Sequence, residues 1–144
     1  MRKPWEWDKV WMEMAKIMAM RSKDPDTQVG AAIVSPDNRS VHFGYNGFPA
    51  NIKDTKERWK RPIKYSYTSH AEMSCLLTSP MNSIGATLYL TLFPCSNCAK
   101  HIIQAGIKKI IYLDKPSNPE VHETKFAEEL LEEAGVIVEK YKGE

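Results

Sequence analysis

The sequence predicts an α/β protein with a mixed five-stranded sheet and helices on both of its faces. Apolar runs of strand length recur along the 144 residues, and after the first two runs they alternate with segments of helical periodicity. Alternating strands and helices are joined by right-handed crossovers, which put helices on the faces of the sheet. Because no Gly/Ser-rich or Pro-rich linker interrupts the chain, we expect one domain over residues 1–144.

The first predicted elements are a helix and a hairpin. Apolar residues recur at helical spacing from Trp5 to Met20, which predicts an amphipathic helix. Residues 29–34 and 41–45 are strand-like, and Ser35-Pro36-Asp37-Asn38 between them has turn composition, so the two strands should pair. Residues 51–69 are polar and long for a loop in a compact domain, which indicates either a functional loop or a solvated basic surface.

The rest of the chain alternates strands with helices. Pro94 suits a helix start, Gly106 and Gly135 suit helix ends, and Ser69 is a candidate N-cap for the helix that follows it. The predicted elements are a helix at 71–77, a strand at 86–91, a helix at 95–104, a strand at 109–113, a polar loop at 114–122, a helix at 126–134 and a strand at 136–138.

Composition limits the classes of partner and the compartment. The formal charge of +2 is too small to indicate a nucleic-acid partner. No apolar run approaches the ~20 residues that span a bilayer, and the N-terminus lacks the apolar stretch of a secretion signal. Three cysteines fit a reducing compartment. We therefore expect a cytoplasmic protein without a membrane or nucleic-acid partner.

The chemical signal lies in two short motifs, His70-Ala71-Glu72 and Pro94-Cys95-Ser96-Asn97-Cys98. Imidazole and thiolate are zinc ligands, and a catalytic zinc keeps three protein ligands and one position for water. His70, Cys95 and Cys98 meet that requirement, and Glu72 is left as an acid–base group beside the water. The alternative is a structural zinc clip with Cys75 as the fourth ligand, which would leave Glu72 without a role.

The pattern H-x-E…P-C-x-x-C is the signature of zinc nucleobase deaminases. Together with residues 21–31, 44–49 and 92–100, it makes the chain resemble the deoxycytidylate deaminases of the zinc-dependent cytidine-deaminase-like superfamily. The resemblance implies a three-layer α/β/α fold and hydrolysis of dCMP to dUMP and ammonia, feeding thymidylate synthesis. It also implies a homohexamer activated by dCTP and inhibited by dTTP, with Mg²⁺ on the triphosphate.

The resemblance also implies substrate contacts. It places the deoxyribose against Asn46, although Asn-Gly is also a turn signal. The backbone near Ala71 and the Phe93-Pro94 turn would hold the base. The 5′-phosphate needs donors, and the nearest dense set ends the first helix, where a helix dipole also favours cations. This set consists of Arg21, Ser22 and Lys23.

An effector site is expected near the Tyr-Asn-Gly segment and the basic stretch. The candidate residues are Gly44, Tyr45, Asn46, Gly47, Lys60 and Arg61. The sequence departs from the family at Met73-Ser74-Cys75 and at Asp114-Lys115-Pro116, where relatives often carry a tyrosine near the base. Two other functions remain open: another zinc deaminase, acting on cytosine nucleosides or transfer-RNA adenosine, and a zinc-stapled nucleotide-binding module without catalysis.

Overall fold

The computed structural model describes residues 1–143 and contains one five-stranded sheet in the order β2-β1-β3-β4-β5. β1 runs antiparallel to β2 and to β3, whereas β3, β4 and β5 are parallel. The predicted mixed sheet is therefore confirmed. The elements are α1 (Trp7–Ala19), β1 (Gly30–Val34), β2 (Val41–Tyr45), a 3-10 helix (Ile63–Ser66), α2 (Ala71–Thr78), β3 (Thr87–Leu92), α3 (Ser96–Gln104), β4 (Lys109–Asp114), α4 (Thr124–Glu133) and β5 (Ile137–Lys140).

Helices cover both faces of the sheet, as predicted. β1 is buried along its whole length because its side chains alternate between two cores. Ala31 and Ile33 belong to the core formed with α2, α3 and α4. Ala32 and Val34 belong to the core formed with α1. This arrangement leaves the carboxyl ends of the parallel strands β3 and β4 free to carry a site.

Most predicted elements occur with shifted ends, and one predicted cap is wrong. β3 ends at Leu92, so it delivers the chain directly to the Phe93-Pro94 turn. His70, and not Ser69, is the N-cap of α2. Ser69 is instead held in an extended bridge with Gly47, donating from its backbone N–H at 2.7 Å and accepting from Gly47 at 3.1 Å. That pairing explains why the serine does not cap the helix.

Within residues 1–143, no helix has both the length and the hydropathy needed to cross a membrane.

Candidate active site

Two helix N-termini bring the three predicted metal ligands together. His70 is the N-cap of α2, and Cys95 is the N-cap of α3. His70 Nδ1 lies 3.5 Å from Cys95 Sγ and 3.3 Å from Cys98 Sγ. The ligand atoms of the three residues all lie within 4.8 Å of one another. One metal ion can therefore contact all three donors.

The electrostatics of this group suit a metal that binds thiolate. The hydrogen bond from the Cys98 thiol, aided by His70, lowers the pKa of Cys95 to about 3. The same contact and burial raise the pKa of Cys98. The hydrogen bond with Cys95 raises the pKa of His70 to about 8. The cluster thus stabilises a thiolate at Cys95, which is the ligand form of cysteine.

Cys75 lies outside this donor group. Its side chain is fully buried in the core beneath α2, and its Sγ donates to the His42 carbonyl at 3.2 Å. Burial raises the pKa of this thiol to about 12. The arrangement gives no support to the four-ligand clip and fits a buried apolar role.

Glu72 lies beside the donors without belonging to their group. It occupies the first turn of α2 and is only 4 % exposed. Burial raises the pKa of its carboxyl to about 7, although the neighbouring His70 opposes this shift. A carboxyl with such a pKa can both accept and release a proton near neutral pH, which is what an acid–base group requires.

A cavity of about 320 Å³ opens onto this group. His70, Glu72 and Cys95 form its reactive end. The predicted substrate contacts Asn46, Ala71 and Phe93 also line it, whereas Pro94 is buried and off the lining. The remaining lining residues are Asp24, Thr27, Val29, Arg61, Lys64, Tyr65, Thr68, Leu92, Pro116, Ser117 and His122.

The side chain of Asn46 braces the backbone at the wall of this cavity. Its Oδ1 accepts from the Val29 N–H at 2.8 Å, and its Nδ2 donates to the Thr27 carbonyl at 2.9 Å. The amide, 6 % exposed, therefore has protein partners at both ends. These hydrogen bonds reach a distant segment, and neither Asn46 nor Gly47 has a positive φ, so the side chain fixes the cavity wall and does not form the Asn-Gly turn that the sequence left open.

The predicted phosphate donors lie off the cavity. Lys23 is paired with Asp54 at 2.9 Å and faces outward. Ser22 is buried, and its Oγ accepts from the Asp24 N–H at 3.2 Å. Arg21 is exposed just beyond α1. The chain turns after α1, so Asp24 and Thr27 reach the cavity and the preceding basic residues do not.

A buried charge network at the cavity was not predicted. Lys64 is 3 % exposed, and its Nζ lies 2.9 Å from Asp24 and 2.7 Å from Asp26. Burial disfavours its ammonium, but the hydrogen bonds to Asp26 and Asp24 outweigh this and raise the pKa of Lys64. Arg61 Nε donates to Asp26 at 3.0 Å. Nothing in the basic segment 51–69 distinguishes Lys64 from its neighbours, so only the fold identifies it.

The predicted effector residues occupy several environments. Gly44 is buried in β2 against α2, and an added Cβ would come within 2.6 Å of the Ala71 carbonyl oxygen. Tyr45 pairs with Gly30 in the sheet, Asn46 lies on the cavity wall, and Gly47 forms the bridge to Ser69. Only Lys60 and Arg61 share a second surface cavity, of about 620 Å³. Its other lining residues are Lys23, Pro25, Asp26, Asp54, Thr55, Lys56 and Trp59.

Comparison with known proteins identifies the family. A sequence model of the cytidine and deoxycytidylate deaminase zinc-binding region matches residues 5–114. The chain belongs to this family. It is 42 % identical to the deoxycytidylate deaminase of Mus musculus and 40 % identical to that of Homo sapiens, in each case covering 94 % of this chain and 80 % of the relative.

Solved structures of the family agree with the fold. The dCMP deaminase of cyanophage S-TIM5, solved in complex with dCMP and dUMP, superposes with a TM-score of 0.77 at 28 % identity. The match covers 98 % of this chain and 100 % of the phage chain. Family membership and the His/Cys/Cys donor set together support zinc as the metal.

Proposed function

We propose that this protein hydrolyses dCMP to dUMP and ammonia, the step that supplies dUMP for thymidylate synthesis. The observation that carries the proposal is a buried carboxyl, Glu72, beside a His/Cys/Cys donor group at the end of a nucleotide-sized cavity. A zinc-stapled binding module has no use for such an acid. The names of the relatives support dCMP as the substrate.

The roles at the reactive end follow from charge and burial. His70, Cys95 and Cys98 would hold the zinc ion, which when bound lowers the pKa of water toward ~7. Hydrolytic deamination also needs a proton at N3 of cytosine and a proton on the departing amine. Glu72 accepts the first proton of the attacking water and delivers it to N3, then accepts the second proton from the hydroxyl now on C4 and delivers it to the amine, so that the C4–N bond breaks and ammonia leaves. Ala71 and Phe93, on the cavity lining, hold the base.

We assign the 5′-phosphate to Arg61 and Lys64 in place of Arg21, Ser22 and Lys23. Arg61 Nε donates a hydrogen bond to Asp26. The two terminal nitrogens of the guanidinium make no side-chain hydrogen bond within residues 1–143. Lys64 has three N–H donors, of which Asp24 and Asp26 use two. Both side chains line the cavity, so they can offer charge-assisted donors to an anion there.

A substrate panel tests this function. Ammonia release from dCMP, deoxycytidine, CMP, cytidine and a transfer-RNA anticodon stem should be measured on the zinc-loaded protein. We expect dCMP to have the highest kcat/KM and Glu72→Gln to lower kcat roughly 10²–10⁴-fold while keeping zinc. Equal kcat/KM for dCMP and deoxycytidine, or full activity of Glu72→Gln, would contradict the proposal.

We also propose that the enzyme is regulated by nucleotides: dCTP activates it and dTTP inhibits it, each bound with Mg²⁺. The proposed assembly is a homohexamer. The second cavity supports a triphosphate site because four cations line it, namely Lys23, Lys56, Lys60 and Arg61. Three of them already pair with carboxylates, Lys23 with Asp54, Lys60 with Glu57 and Arg61 with Asp26, so a triphosphate would have to compete with these partners. Arg61 lines both cavities, so it offers a physical link between effector and substrate.

The effector proposal is tested with dCMP saturation curves, with and without each triphosphate and Mg²⁺, alongside light scattering for subunit number. Lys60→Ala should reduce the effector response, whereas Lys140→Ala, on exposed β5, should not. A coupling of ~1–3 kcal/mol would change apparent affinity several-fold. Saturation curves that coincide under all conditions would refute regulation, and a monomer in scattering would refute the hexamer.

A further inference from the structure

The segment between β4 and α4, residues 115–123, forms one wall of the catalytic cavity. Pro116, Ser117 and His122 contribute to the lining. The metal donors and Glu72 lie at the starts of α2 and α3, so they do not by themselves explain how this wall is held. A loop that lines a substrate cavity must be fixed to a rigid element if it is to present a constant surface.

Ser96 fixes this segment with two hydrogen bonds. Its backbone N–H donates to the His122 carbonyl at 3.2 Å, and its Oγ donates to Glu123 Oε1 at 2.9 Å. Ser96 is also the first residue of α3 and directly follows the metal ligand Cys95. The wall is therefore attached to the same turn that carries the metal donors.

The backbone of Glu123 provides a second, independent observation. Its φ of 52° and ψ of 42° place it in the left-handed region, which disfavours residues with a Cβ. Glycine would adopt this conformation more readily. Glu123 is the N-cap of α4, yet its side chain makes no capping hydrogen bond. Within residues 1–143, the Glu123 carboxylate accepts a hydrogen bond from Ser96 Oγ. It therefore stabilises the metal-binding turn and does not cap its own helix.

We propose that Glu123 is a positioning residue, which acts through Ser96 to hold the cavity wall of Pro116, Ser117 and His122 against the metal-binding turn. The inference rests on the proposed function because it takes this cavity as the substrate site. Glu123 does not line the cavity and does not touch the reacting atoms. Its loss therefore weakens substrate binding more than it slows the chemical step.

Four variants separate positioning from general stability. Glu123→Gly removes the carboxylate and relieves the left-handed strain, so the protein should unfold at the same or a higher temperature. Glu123→Gln keeps an acceptor for the Ser96 hydroxyl. Ser96→Ala removes the donor. Asn38→Gly is the matched control, because Asn38 also has a positive φ of 60° and a side-chain hydrogen bond, to Trp11, in the β1–β2 turn outside the cavity.

The rate of amide hydrogen exchange at Ser96 and across residues 115–123 measures how firmly the segment is held, and it needs no substrate. Exchange there should accelerate in Glu123→Gly and Ser96→Ala, and stay at the wild-type rate in Glu123→Gln and Asn38→Gly. With dCMP, Glu123→Gly should raise KM about two- to tenfold, the equivalent of one exposed hydrogen bond, with kcat within about twofold. The double variant Ser96→Ala/Glu123→Gly should be no worse than either single variant.

Several results would overturn the inference. Unchanged exchange in Glu123→Gly would mean that the carboxylate holds nothing. Faster exchange with an unchanged KM would mean that the attachment is structural only. A lower unfolding temperature in both Glu123→Gly and Glu123→Gln, with unchanged exchange, would identify Glu123 as a helix-dipole residue. If the wild type fails to turn over dCMP, the proposed function fails, and the exchange rates still decide whether Glu123 holds the segment.

Discussion

Replacing Lys64 by methionine should destabilise the protein by about 3 kcal/mol, because removing one partner of a buried ion pair typically costs ~3–5 kcal/mol. The Asp24 side chain is 6 % exposed, so it would keep a nearly uncompensated buried charge. The cost falls at the lower end because Asp24 still accepts from the Asp26 and Thr27 N–H groups at 2.9 and 3.2 Å. Asp26 is 38 % exposed and keeps Arg61, so it adds little.

The measurement is urea unfolding of the zinc-loaded protein, with Lys60→Met as the control. Lys60 pairs with Glu57 on the surface, where an ion pair is worth about 0–1 kcal/mol. The double variant Asp24→Asn/Lys64→Met should recover more than half of the unfolding free energy lost in Lys64→Met, because it no longer contains the unpaired buried carboxylate of Asp24. A loss below about 1 kcal/mol in Lys64→Met, or no recovery in the double variant, would refute the argument from buried charge.

Three further predictions concern the site and its surroundings. Cys95→Ser should lower zinc content and activity together, whereas Cys75→Ser should keep the zinc; metal analysis that shows loss in both would revive the four-ligand clip. Arg61→Ala should raise KM for dCMP roughly tenfold or more but leave KM for deoxycytidine, which has no phosphate, unchanged. The magnitude follows because a hydrogen bond to a charged group is worth ~1.5–3 kcal/mol. Equal effects on both substrates would show that Arg61 does not bind the phosphate. Unfolding free energy should fall as pH rises from about 9 to about 12, because the unfolded Cys75 thiol ionises while the folded thiol, whose pKa is raised, stays protonated. Cys75→Ala should flatten this fall by up to about 1.4 kcal/mol per pH unit, and an unaltered slope would exclude Cys75 as its source.

The sheet and the metal donors could be predicted because each depends on local pattern. Alternation and helical periodicity locate the strands and helices. The spacing of Cys95 and Cys98 over one helical turn, at a helix start, brings their sulfurs to one side. His70 follows the same rule at α2. These features need no knowledge of how distant segments pack.

The rest of the site could not be predicted because it depends on long-range contacts between irregular segments. Lys64 meets Asp24 across 40 residues, and Ser96 meets Glu123 across 27. No periodic pattern connects such positions. In the sequence, Arg21, Ser22 and Lys23 are the nearest dense set of donors for a phosphate, whereas in the fold the turn after α1 decides which side chains reach the cavity. Charge identifies candidates, but loop geometry selects among them.

The contact between Gly44 and α2 fixes the position of the Glu72 carboxyl relative to the sheet. The helix rests on β2 with the Ala71 carbonyl oxygen and the Cys75 nitrogen each 2.6 Å from where a Cβ of residue 44 would stand. Any larger residue would lift the first turn of α2 from the sheet, and Glu72 would move with it relative to the donors on α3. The missing side chain of Gly44 therefore determines how far His70 and Glu72, which move together at the start of α2, stand from Cys95 and Cys98 at the start of α3.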